Sequence, residues 1–91
     1  MNLEDVIFTE NLPTIDLHGL DSVCAKIRIN EFIHDNKVMK NSIVVIVHGI
    51  GSGVIRNVTF ETLKKNKNVE DYRLFYNNSG MTIVKIKIDK N

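Results

Sequence analysis

At 91 residues the chain has room for one domain, and an apolar share of 43% with 25% charged residues describes a globular fold rather than a disordered or fibrous one. Its longest aliphatic run, Ile43 to Val47, is too short to cross a bilayer; the acidic start Met1-Asn2-Leu3-Glu4-Asp5 lacks a basic, apolar leader, and the lone Cys24 has no internal disulfide partner. A cytoplasmic chain with no membrane partner is the expectation. The net charge of +1 hides an asymmetry, because residues 1–35 carry seven acids against Lys26 and Arg28, whereas residues 36–91 carry ten bases and four acids. That later half can build a basic face from Arg56, Lys64, Lys65, Lys67, Arg73, Lys85 and Lys87.

Residues 1–13, mixed acids and Asn ending at Pro13, read as a lead-in or linker, with the folded domain over 14–91. Ile15 and Leu17 alternate with Asp16 and His18 in a short strand that Gly19 breaks, and Asp21 or Ser22 then offers an oxygen to cap a helix. Ala25, Ile29, Phe32 and Ile33 fall on one face of that helix, which ends in the polar stretch His34 to Lys37. Ile43-Val44-Val45-Ile46-Val47, with no polar alternation, predicts a central parallel strand covered on both faces. The turn Gly49 to Gly53 opens a second helix with Val54, Ile55, Val58, Thr62 and Leu63 facing inward, and Lys64, Lys65 and Lys67 suit its negative end. A third strand is expected over Val69 to Tyr76, then a turn at Asn77-Asn78-Ser79-Gly80 and a last strand over Met81 to Ile88. In that last strand Thr82, Val84, Ile86 and Ile88 take the covered face, and Ile83, Lys85 and Lys87 the wet one. The expected architecture is α/β, a βαβαββ two-layer to three-layer sandwich on a mixed, mostly parallel four-stranded sheet with a C-terminal antiparallel hairpin.

Two segments carry chemistry: Asp16-Leu17-His18-Gly19 and His48-Gly49-Ile50-Gly51-Ser52-Gly53 each set a histidine and a glycine at the end of an apolar strand. If the strands are parallel neighbours, both histidines leave the sheet at its carboxyl edge, where open α/β sheets bind ligands. A glycine turn opening a helix offers backbone N–H groups to a phosphate, so Gly19, Gly49, Gly51, Gly53 and Arg56 are candidate phosphate-binding residues. An imidazole exchanges a proton near neutrality, which is what breaking a phosphodiester asks of a base and an acid. His18 and His48 are the candidates for those two roles, and Asp16, two residues before His18 on the same strand face, is the candidate supporting carboxylate.

With those residues in view, Leu12 to Ile88 resembles an Smr (small MutS-related) domain, whose pattern joins an L-D-x-H-G segment, an H-G-x-G-x-G segment and a glycine-rich terminal hairpin. Ile15-Asp16-Leu17-His18-Gly19 and His48-Gly49-Ile50-Gly51-Ser52-Gly53 match the first two, and Val54-Ile55-Arg56 follows with the expected basic residue. The third departs from the pattern: Asn78-Ser79-Gly80-Met81-Thr82 stands where the family commonly has G-G-x-G-A-T, keeping one glycine and the threonine. The resemblance implies an endonuclease domain acting on RNA or on branched or nicked DNA, with the ribosome and the rest of a MutS2-like chain as further partners. The alternative it implies is a non-catalytic nucleic-acid or ribosome-binding module.

Other chemistries fit less well. The spacing G-x-G-x-G is not the dinucleotide fingerprint G-x-G-x-x-G, and Glu70 and Asp71 precede a strand instead of ending one. No cofactor is required by histidine chemistry; a divalent metal stays open as an addition, yet Asp16, His18 and His48 have no local ligand spacing to support one. A protein-protein adaptor is the third class. His34 and Arg28 read as solvated surface, and Tyr72, Phe75 and Tyr76 as core packing more than a base-stacking platform.

Overall fold

The computed structural model describes Leu3, residues 9–75 and residues 78–89. The elements run β1 (Thr14–Asp16), α1 (Ser22–Val38), β2 (Ile43–Val47), α2 (Val54–Lys65), β3 (Val69–Phe75) and β4 (Asn78–Ile86), the order expected. α1 starts where a side chain can cap it, with Asp21 Oδ1 accepting the Cys24 N–H at 2.8 Å. Ala25, Ile29 and Ile33 are its buried stripe. Asn36 is buried beside them because its polar atoms are matched locally: Nδ2 donates to Phe32 O and Oδ1 accepts from Asn41 Nδ2.

The sheet order is β1-β2-β4-β3. β1 pairs with β2 in parallel, Asp16 opposite Val47, and α1 is the crossover that a parallel pair requires. β4 inserts between β2 and β3 and runs antiparallel to both. The sheet is therefore mixed, but its balance is one parallel pairing to two antiparallel ones rather than mostly parallel, because the last strand enters the middle of the sheet instead of adding at the edge.

Both helices cover one face, making two layers. Their core joins Ala25, Ile29, Ile33 and Leu63 to Leu17, Val44, Ile46, Val84 and Ile86. The opposite face carries a second cluster, Ile43, Val45, Phe75 and Ile83, covered by Leu3 with Leu12 at its margin. Ile83, expected on a wet face, is thus buried, since a segment that reads as lead-in supplies an apolar lid. Lys85 lies on that same face, half-buried, and its Nζ pairs with Glu70 at 2.9 Å, so this base of the later half sits on the side of the sheet away from the helices.

Other boundaries shift for identifiable reasons. Asn78, Ser79 and Gly80 are strand, Asn78 pairing with Phe75, so β4 begins before the expected start; Tyr76 and Asn77 lie outside the described residues. Val54 is 53% exposed because it starts α2 at the rim of the glycine turn, while Thr59 takes the buried place by returning its hydroxyl to Ile55 O at 2.8 Å. The packing gives a direct test by urea unfolding. Ile29→Ala, which empties a fully buried site, costs about 2–5 kcal/mol, and Ile27→Ala on the exposed side of the same helix changes stability by less than about 0.5 kcal/mol.

Candidate functional site

β1 ends at Asp16, and one further ladder bond, Leu17 N–H to Val47 O at 2.9 Å, holds the two strands together until the chain turns at His18-Gly19. Asp16 Oδ1 accepts the His18 N–H at 2.8 Å. The carboxylate thus fixes the backbone from which the exposed His18 side chain leaves. Because β1 and β2 run parallel, the turn that carries His18 and the glycine turn after His48 leave the same end of the sheet.

That turn needs glycine at two positions in particular. Gly49 has φ +82° and Gly53 φ +85°, a region in which a side chain clashes with its own backbone. Gly53 is also the N-cap of α2 and has no side chain to give, so the helix opens without a side-chain cap from that residue; the nearest substitute, Ser52 Oγ, is 3.5 Å from the Val54 N–H. A cavity of about 170 Å³ lies at this helix start, lined by residues His48 to Arg56. Arg56 Nη2 folds back over Gly53, 3.4 Å from where a β-carbon would stand, and brings a positive charge to the helix end that already favours anions.

His48 is placed differently from His18. It is 8% exposed, and both ring nitrogens have partners inside the protein: Nδ1 lies 2.9 Å from Gly49 O and Nε2 2.8 Å from Thr82 Oγ1. A carbonyl oxygen can only accept, so Nδ1 carries the hydrogen, and in the neutral ring Nε2 accepts from the Thr82 hydroxyl. The ring meets Phe60 edge to face, with centroids 6.1 Å apart, and Phe60 in turn stacks on Tyr72. Burial pushes the His48 pKa below the usual 6.5; the Gly49 carbonyl works against that shift, and the Arg56 charge adds to it.

The fold thus gathers Asp16, His18, Gly19, His48, Gly49, Gly51, Gly53 and Arg56 at one sheet edge, with His18 open to solvent and His48 enclosed. Among the described residues, no three His, Cys, Asp or Glu side chains come together to hold a metal ion, Asp16, His18 and His48 included. Phe60, Gly80 and Thr82 are site residues that sequence reasoning missed. For Gly80 and Thr82 a signal existed, since they are the two residues that the third motif keeps; nothing in the sequence singled out Phe60.

The comparisons with known proteins decide the family. The Smr domain profile matches residues 15–87. The chain belongs to the Smr domain family. It is 36% identical over 77 residues to the endonuclease MutS2 of Clostridium acetobutylicum and 37% identical over 78 residues to that of Clostridium perfringens. Those alignments take in 81% and 86% of this chain but 10% of each relative, so the chain spans about a tenth of the length of the curated relatives it matches. The fold matches the crystal structure of the Smr domain of Thermus thermophilus MutS2 at a TM-score of 0.80 and 24% identity, covering 82% of this chain and 98% of that one. It also matches YdaL, a stand-alone small MutS-related protein from Escherichia coli, at a TM-score of 0.77 and 18% identity, covering 81% of this chain and 63% of that one. No helix among the described residues of this Smr domain is long and apolar enough to cross a membrane.

The enclosed histidine makes stability depend on pH. A folded-state pKa below the unfolded one means that the unfolded chain takes up the proton first, so the His48 contribution is present above 6.5 and is lost as pH falls through the lowered value. Asp21 and Glu70, whose pKa values are lowered from 3.8 and 4.5, act in the same sense but at lower pH. Urea midpoints measured between about pH 7.5 and about pH 5 are expected to fall with pH, and His48→Gln is expected to flatten that slope.

Proposed function

We propose that this Smr domain cleaves a nucleic-acid phosphodiester, with His18 as the proton-transfer group, Asp16 holding its turn, and the Gly49–Gly53 loop with Arg56 and the start of α2 cradling the phosphate. The observation that carries this reading is the parallel pairing of β1 and β2, which makes the solvent-open His18 and the glycine loop, with its helix start and the Arg56 guanidinium, leave the same end of the sheet. On RNA, His18 takes the proton of the 2′-hydroxyl as that oxygen bonds to phosphorus; the bond from phosphorus to the 5′-oxygen breaks, and the leaving oxygen takes a proton from water. On branched or nicked DNA, water replaces the 2′-hydroxyl as the nucleophile. In both cases the loop N–H groups and Arg56 face the negative charge that grows on the phosphoryl oxygens. The MutS2 relatives themselves carry the name endonuclease.

One observation narrows the two-histidine expectation and supports a second reading. Because both nitrogens of His48 are bonded inside the protein, His18 is, among the described residues of the site, the one imidazole exposed to solvent, where an acid and a base were expected. The same cradle without cleavage is a nucleic-acid or ribosome-binding module within a MutS2-like chain.

Incubation with labelled single-stranded RNA, structured RNA and branched DNA, with and without chelator, separates the two. For the enzyme, His18→Ala lowers the cleavage rate constant by about 10²–10⁴-fold and leaves the dissociation constant within about twofold. Salt-sensitive binding with no cleavage by the wild type decides for the module. Either reading requires Arg56→Ala to weaken binding and to reduce the slope of log affinity against log salt by about 1.

A further inference from the structure

The third motif, which departs most from the family pattern, keeps the two residues that touch the His48-Gly49 turn. Gly80 O accepts both the His48 and the Gly49 N–H at 3.0 Å, so a single carbonyl of β4 anchors the first two residues of the loop. Gly80 packs closely on the loop: a β-carbon there would stand 3.1 Å from Asn78 Oδ1, 3.3 Å from Gly49 Cα and 3.4 Å from its carbonyl carbon, so the neighbours would have to give by a few tenths of an ångström. Thr82, fully buried two residues further on the same strand, gives its hydroxyl to His48 Nε2, while the other ring nitrogen holds Gly49 O. Backbone and ring together therefore fasten both polar groups of Gly49, its N–H to Gly80 and its carbonyl to His48.

We propose that His48 is a positioning residue: with Thr82 and Gly80 it forms a clasp that fastens the glycine loop to β4 and so sets the loop's hold on the phosphodiester, without itself exchanging a proton with the substrate. This rests on the phosphodiester reading of the site and adds Thr82 and Gly80 to it. The loop needs such a clasp. Its open geometry, with two positive-φ glycines and no side-chain cap from Gly53 at the helix start, supplies little internal rigidity, and cradles work only when their N–H groups are held in place beforehand. Thr82 is well placed to serve as its fixed post, being on the central strand β4 with no exposed surface.

The test uses the full chain with a fluorescein-labelled single-stranded RNA and a labelled branched DNA as probes, together with imidazole and amide NMR. Nitrogen-15 spectra should find His48 as the Nδ1–H tautomer, unchanged when probe is added. Thr82→Val should speed amide exchange at His48 and Gly49. It should also raise the probe dissociation constant about tenfold, the equivalent of one lost hydrogen bond, with the saturated cleavage rate within about threefold. Thr82→Ser, which restores the hydroxyl, should recover binding. A Thr82→Val protein that loses saturated rate as His18→Ala does while binding normally overturns the proposal, as does a His48 ring that takes the Nε2–H tautomer or shifts when probe binds. If the wild type neither binds nor cleaves either probe, the functional reading fails instead; amide exchange left unchanged by Thr82→Val would then overturn the clasp as well.

Discussion

The site depends on one pairing. Parallel strands joined in sequence require a crossover, and α1 supplies it, returning the chain to the start of β2 so that β1 and β2 end at the same edge. Had the second strand returned as a hairpin, His18 and the glycine loop would lie at opposite ends of the sheet. The pairing survives at the sheet edge because Leu17 and Val44 and Ile46 bury their side chains under the helices, and a slip of one residue would turn each of them to the wrong face.

Onto that edge the fold builds a contrast between two histidines that look equivalent in sequence. His18 stands two residues beyond the end of an edge strand, where the chain turns into solvent and the carboxylate of the strand's last residue, Asp16, holds the turn. His48 follows a strand flanked on both sides, and β4 supplies a carbonyl and a hydroxyl that draw its backbone and ring inward. Position in the sheet, not residue type, separates an imidazole that can meet a ligand from one that organises the loop.

The charged residues follow the same logic. The later half of the chain holds the surplus of bases, yet Lys64 and Lys65 close α2 on one layer while Lys85 pairs with Glu70 on the other. Arg56 is the base that the fold carries to the loop, by folding its side chain over a glycine. The positive charge at this edge is thus built locally, from one guanidinium and a helix end.

Much of this was legible in the sequence. The element order, the buried stripe of α1, the doubly covered β2 and the family follow from periodicity and two short motifs, because strands and helices announce themselves by local spacing and the family by its His-Gly segments. The insertion of β4 between β2 and β3, the burial of Ile83 under Leu3, and the early start of β4 at Asn78 were not, since each depends on a partner distant in the chain. The candidate site divided along the same line. Its residues were named from the sequence, but whether a histidine faces solvent or Thr82 is fixed by which strand lies beside it, and strand order is a property of the whole sheet that no local pattern encodes.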